Sequence, residues 1–299
     1  MGQSTSEYLK ASLLGVTLAL TSSIATAGFV DEVGGSERIN FAGKLRMLSQ
    51  RIPAAACYRH ADIEKSKTSE MLEAATAEFD TIIHGLEHGD TDLGMIGAEK
   101  DRRVLQDLKV MHEHWDYLHP EIEHIVDYGG SDAEVLDLAH ASGPLLEDAK
   151  LLVSELVAEY SDPADLLQAD AITIDIAGRQ RMLAQRVSKN FCLLATGLGE
   201  DTAKGELAGT REMYSVSANA LRFGLPAAGI NATENQVILD GLDKVLADWA
   251  TAQAILDQAD AGTAISTEDQ AFIFNTMNSL TGQMNKLVSI YVGDSKLGL

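Results

Sequence analysis

Proline, aromatic residues and cysteine are all scarce in this chain. With 5 prolines and 5% aromatic residues among 299, and with Ala, Leu, Glu and Asp abundant, the composition favours helices over sheets. The two cysteines are not in a Cys-x-x-Cys spacing, which argues against a thiol enzyme. Positive charge is short as well. The 23 Lys and Arg against 45 Asp and Glu give a formal charge of −22, which speaks against nucleic acid or an anionic membrane surface as a partner. Long apolar runs are missing beyond the first segment. There, Lys10 precedes an apolar stretch from Ala11 to Ala25, and Ala25-Thr26-Ala27 supplies a small-x-small cleavage pattern. Residues 1–27 therefore read as a signal peptide, with the mature chain starting at Gly28. The run is shorter than the roughly 20 residues that span a bilayer. No membrane insertion is expected after cleavage, and the location implied is periplasmic or secreted. Histidine is absent from the second half, since all eight lie between His60 and His140. His84 and His88 have an i, i+4 spacing that can chelate zinc, but a site with no counterpart in the second half cannot belong to a duplicated function. The histidines are read as solvated polar-face residues, and no metal or cofactor is expected. No nucleophile–base or repeated acid–base pair emerges, so the chain is not expected to be an enzyme.

What is present is a repeat. The segment INFAGKLRMLSQR at 39–51 returns as IDIAGRQRMLAQR at 174–186, with eight of thirteen positions identical and an offset of 135. Cys57 recurs as Cys192 and Phe79 as Tyr214 at the same offset, while Trp115 and Trp249 are one residue out of step. A period this long marks a duplicated domain rather than a solenoid unit. Punctuation divides each copy into four helices. In the first copy they run from Ser36, a plausible N-cap, to His60, from Lys67 to His88, from Ala98 to Val126, and from a cap at Ser131 to Tyr160. In the second they run from Asp165 to Leu198, Ala203 to Phe223, Thr233 to Ala259 and Glu268 to Val292, after a joint at Ser161-Asp162-Pro163. The expected fold is all-α: two tandem up-down four-helix bundles, at 28–161 and 162–299, forming a pseudo-two-fold pair through their first helices.

Core packing alone would not preserve glycine, arginine and glutamine in one stretch. Gly43, Arg46, Gln50, Pro53 and Cys57 fall at a, d, a, d, a of a heptad, and Gly178, Arg181, Gln185, Ser188 and Cys192 occupy the matching places. If the two first helices lie parallel about a pseudo-two-fold axis, each stripe meets its own counterpart. Glycine then permits close backbone approach. Arg46 and Arg181 would face each other one turn on, where two guanidiniums repel unless an anion lies between them. Planar oxyanions match their fork of donors. The competing expectation is that each arginine pairs with an acid of its own bundle. Arg51 and Arg186 lie just off the seam as rim charges. Pro53 frees the carbonyl of Ser49 and predicts a kink past the site. For Cys57 and Cys192 two roles stay open: a disulfide stapling the copies, or two small buried hydrophobes.

The repeated segment resembles the helix-1 signature of the NarX/NarQ/PilJ-type periplasmic sensor domain, found in nitrate/nitrite sensor kinases and the type IV pilus chemotaxis transducer. Its pattern is roughly I-N-x-A-G-x-x-R-M-L-S-Q-R. The first copy follows it from Ile39 and Asn40 through Ala42, Gly43 and Arg46 to Arg51, and the second departs at Asp175 and Ala184. The resemblance implies a four-helix sensor bundle that pairs through helix 1, with nitrate or nitrite held between the two copies of that helix. Here both copies come from one chain. The ligand residues implied are Gly43, Arg46, Gly178 and Arg181, with Arg51, Arg186, Gln50 and Gln185 further out. Asp175 places a negative charge beside that site. The expected function is a sensor-type binding protein for a small inorganic oxyanion, which needs a membrane sensor or transporter to pass a signal on. The alternative is a structural or protein-interaction module that has lost its ligand.

Overall fold

The computed structural model describes residues 34–160 and 168–297. Its secondary structure is eight α-helices: α1 (Gly35–His60), α2 (Lys65–His88), α3 (Arg102–Tyr128), α4 (Asp132–Tyr160), α5 (Gln168–Ala195), α6 (Glu200–Phe223), α7 (Gln236–Asp260) and α8 (Thr267–Leu297). The fold is all-α, as the composition led us to expect. The segment expected to be a signal peptide, residues 1–27, and the expected joint at Ser161-Asp162-Pro163 lie outside the described residues.

Periodicity explains the outer helices. On α3 the buried residues are Val104, Leu108, Met111, Trp115, Leu118, Ile122 and Ile125, and on α7 they are Ile238, Leu242, Val245, Trp249, Ala252, Leu256 and Ala259. Both runs alternate steps of four and three, so each helix turns one stripe inward and leaves the rest to solvent. Each full burial of a leucine-sized side chain contributes about 1.5–3 kcal/mol. The two stripes carry equivalent aromatic pairs. Trp115 stacks on Phe79 at 4.1 Å between ring centroids, and Trp249 packs on Tyr214 at 4.3 Å. The indole N–H groups are satisfied at equivalent positions too, by Asp80 Oδ1 at 2.6 Å and Ser215 Oγ at 3.0 Å.

Helix ends follow capping chemistry, and several differ from the sequence reading by a few residues: α6 starts at Glu200, α7 at Gln236 and α8 runs on to Leu297. The Ser131 hydroxyl accepts from the Glu134 N–H while Glu134 accepts from the Ser131 N–H, a reciprocal box that starts α4. Ser36, by contrast, lies inside α1. The cap is Gly34, whose φ of 67° is left-handed, a conformation that favours glycine. Helix α3 starts at Arg102 rather than Ala98 because Glu99 is engaged elsewhere. Its carboxylate accepts from the Lys100 and Asp101 N–H groups and from the Tyr160 hydroxyl, and it pairs with buried Arg38 at 3.4 Å. Asp101 then caps the helix by accepting from the Arg103 and Val104 N–H groups.

Helix α1 packs on α2 and α4, α5 packs on α6 and α8, and α1 and α5 pack on each other. This central position shows in the burial. Seventeen of the 26 residues of α1 are buried, against seven of 27 in α3. An element enclosed on several sides must satisfy or deliberately leave open each polar group it carries. The polar residues of the repeated segment are therefore the place to look for function.

Candidate functional site

The seam between α1 and α5 is a parallel, in-register pair. Cys57 and Cys192 are joined by a disulfide with 6.2 Å between their Cα atoms. Towards the N-terminal ends, the glycines of the same register also meet. A Cβ built on Gly43 would lie 3.7 Å from Arg46 Nη2 and 3.9 Å from Arg181 Nη2, and one on Gly178 would lie 3.5 Å from Arg181 Nη2 and 3.9 Å from Arg46 Nη2. Both guanidinium tips thus occupy the space beside both glycines. The absence of side chains at 43 and 178 is what makes room for them.

The two arginines are held differently. Arg181, only 4% exposed, donates from Nη1 to Asn285 Oδ1 on α8 at 2.8 Å and from Nε to the Gly178 carbonyl at 3.2 Å. Its partners are neutral, so no carboxylate of its own bundle cancels its charge. Arg46 donates from Nη1 to Asp175 Oδ1 at 3.1 Å, and that acid belongs to α5, in the other copy. Asp175 also pairs with Arg179. The competing expectation, pairing with an acid of its own bundle, therefore fails for Arg46 and Arg181 among the described residues, although Arg186 does pair with Glu206 of its own copy. Neither Nη2 donates to any protein acceptor there. Burial, with the Arg46 charge adding to it, lowers the Arg181 pKa to about 10, which leaves it protonated at neutral pH. Glu78, bound to Lys44 at 3.0 Å, offsets part of this.

The outlying residues behave otherwise. Gln50 donates to the Ser142 carbonyl on α4 at 3.1 Å, and Gln185 donates to Asn278 at 3.0 Å and Thr281 at 2.7 Å on α8. The glutamines tie each first helix to the last helix of its own bundle, away from the arginine pair. Arg186 lies 3.5 Å from Glu206 on α6. Burial lowers the Arg51 pKa against the pull of Glu78. Helix α1 continues as one helix through Pro53. The partners that sequence reasoning missed are Asn278, Thr281 and Asn285, polar residues at steps of three and four on α8. That spacing on an otherwise apolar inward stripe was the available signal. Among the described residues no group of three or more metal-ligating side chains occurs. His112 bonds Glu87 at 3.1 Å, and the His84 ring meets His88 edge-on at 4.7 Å between centroids.

Comparison with known proteins adds to this geometry. The family model described as the type IV pili methyl-accepting chemotaxis transducer N-terminal domain, PilJ, matches residues 31–140 and again 166–272. The chain belongs to the PilJ family. Two matches to one family model agree with the internal repeat, and they place the Gly-x-x-Arg segment near the start of each PilJ unit. The methyl-accepting chemotaxis protein McpN of Pseudomonas aeruginosa is 31% identical over 118 residues. That match covers 40% of this chain and 21% of McpN, so the chain matches about a fifth of that relative's length. No helix of the described residues is long and apolar enough to cross a membrane.

Proposed function

We propose that this tandem PilJ protein is a periplasmic sensory binding module that holds a small planar oxyanion, nitrate or nitrite in kind, between its two first helices. The observation that carries the reading is the pair of Nη2 groups, Arg46 and Arg181, beside Gly43 and Gly178 with no protein acceptor. Two charged forks that share one space gain from an anion placed between them, and each charge-assisted hydrogen bond contributes about 1.5–3 kcal/mol. The disulfide suits an oxidising compartment. A chemotaxis role is supported by membership of the chemotaxis-transducer family and by the likeness to the methyl-accepting chemotaxis protein McpN. The partner in this reading is a membrane-borne sensor, transducer or transporter that reads the occupied pair. No catalytic role is proposed, because the one carboxylate at the arginine pair, Asp175, is already engaged by Arg46 and Arg179.

A second reading, a helical interaction module without a ligand, is favoured by one observation. Asp175 already engages Arg46 and Arg179, so half of the anion's place in the charge balance is taken. Titration calorimetry of the purified protein with nitrate, nitrite, sulfate and chloride separates the two. Saturable heat with nitrate or nitrite, absent from an Arg46→Ala/Arg181→Ala double variant, supports the site. Equal heats for the double variant and the natural protein remove the site from this helix pair.

A further inference from the structure

A cleft of about 260 Å³ opens to one side of the seam, with α4 on one wall and α5 and α6 on the other. Its floor is polar and almost sealed. Lys189 is 4% exposed, donates to Ser142 Oγ at 2.9 Å and lies 3.5 Å from Glu206. Arg186 reaches the same carboxylate at 3.5 Å, so two cations share one acid. Three buried atoms of lining residues lack a partner: Asn190 Nδ2, Arg186 Nε and Gln50 Oε1. Asn190 and Gln50 are each 1% exposed. The Asn190 amide helps hold Glu206 ionised but makes no hydrogen bond of ordinary length to it. Leu136, Leu146 and Leu193 supply apolar wall.

The duplication provides an internal control. At an offset of 135, Ala54 and Ala55 stand where the second copy has Lys189 and Asn190, Met71 stands for Glu206, and Tyr58 stands for Leu193. There the Tyr58 ring packs on Phe274 at 4.9 Å, so the equivalent place is filled by an aromatic pair. Packing needs alone are met by Ala-Ala and an aromatic ring, as the first copy demonstrates. A buried lysine and an unpaired buried amide cost stability unless something repays them.

We propose that this cleft is a second, independent site, for a small organic monocarboxylate. The carboxylate takes up Lys189 Nζ, Asn190 Nδ2 and Arg186 Nε, donors that Glu206 alone leaves unsatisfied, while the other lining acid, Glu147, is held by Lys150 at 2.7 Å, and the carbon chain lies on the leucine wall. The volume falls below the about 300 Å³ at which pockets for drug-sized ligands begin, so it suits a molecule of a few heavy atoms. The site does not rest on the oxyanion reading of the seam, since none of the four residues of that pair lines it.

Calorimetry with propionate and with L-lactate on the full chain tests the assignment. Saturable binding of at least one is expected, weakened at least tenfold by Lys189→Met and unchanged by Arg181→Ala. Gly143→Leu is the companion variant, because a Cβ at Gly143 meets nothing within 4 Å and the added side chain extends into the cleft that Gly143 lines. It too should weaken binding at least tenfold while leaving the melting temperature unchanged. No binding of either acid to the natural protein, or binding that survives both cleft variants, overturns the proposal. Loss of binding in Arg181→Ala with retention in Lys189→Met also overturns it, by assigning the carboxylate to the seam.

Discussion

Cys57 and Cys192 are 135 residues apart in sequence and bonded in space, with 6.2 Å between their Cα atoms. The bond sits on the seam itself, between equivalent positions, so it does more than close a loop. It fixes the register of α1 against α5 and thereby sets Gly43 opposite Gly178 fourteen residues earlier. A shift of one residue would rotate each stripe by about 100° and carry an arginine off the axis.

A Cys57→Ser/Cys192→Ser variant should lose much stability and keep the fold's helical signature. Chain-entropy arithmetic for a closed loop of this length gives about 5 kcal/mol, before any discount for structure in the unfolded chain. Denaturant unfolding of the natural and double-serine proteins measures the difference. Peptide mass spectrometry under non-reducing conditions should show the two cysteine peptides linked, and two alkylatable thiols in the natural protein would refute the bond.

Replacing Arg181 by methionine should separate binding from stability. Methionine keeps much of the volume and removes a buried charge that Arg46 repels, a relief set against the loss of the bonds to Asn285 and the Gly178 carbonyl. The melting temperature without added nitrate is expected to hold or rise, while nitrate affinity falls by about 1.5–3 kcal/mol. A melting temperature that drops by many degrees would mean that the Asn285 bond, and not an anion, accounts for the arginine.

Much of this arrangement was legible in the sequence, for identifiable reasons. Steps of three and four in α3 and α7 fix their inward faces, and the retention of Gly-x-x-Arg in both copies points to contact between equivalent positions. The helix starts at Gly35 and Arg102 were not legible, because one depends on a left-handed cap at Gly34 and the other on Arg38 recruiting Glu99 from 61 residues away. Nor were Asn285 and Ser142 as partners, since they require the rotation of α8 and α4 against the first helices. The cleft beside the seam arises where the copies differ, at Lys189 and Asn190. A reading built on what the copies share passes over it.

Acid should act through Glu206. Burial alone would raise its pKa, but Lys189 and Arg186 outweigh that and hold it below the ordinary 4.5. A carboxyl with a lowered folded-state pKa contributes stability that is present above the ordinary value and lost as pH falls through the lowered one. Melting temperatures from pH 7 to pH 3 should show Glu206→Gln below the natural protein at neutral pH and converging with it in acid. A gap that stays constant down to pH 3 would mean that the group's charge does not contribute.

At the glycines, size should decide the outcome. A Cβ at 43 or 178 sits at 3.5–3.9 Å from the guanidinium tips, which is ordinary contact, so alanine is tolerated and the helix gains roughly 0.5–1 kcal/mol. Leucine must displace both arginines. Gly178→Ala is expected to melt at or above the natural temperature, and Gly178→Leu to lose nitrate binding altogether. Equal nitrate affinity for the leucine variant would place the anion elsewhere.

Asp175 supplies the most discriminating substitution, because it bears on whether the site is active or vestigial. It stands where the first copy has Asn40, and its carboxylate occupies Arg46 Nη1 and pairs with Arg179. Asp175→Asn removes the negative charge nearest the anion and keeps a neutral acceptor for the arginine. If the seam binds nitrate, affinity should rise by about 1 kcal/mol, the scale of a partly exposed ion pair, and the nitrate-induced rise in melting temperature should grow with it. A protein that binds no nitrate in either form, with both arginines intact, would leave the ligand-free interaction module as the reading of this helix pair. Binding that appears only in Asp175→Asn would mean that the second copy closed a site its geometry still carries.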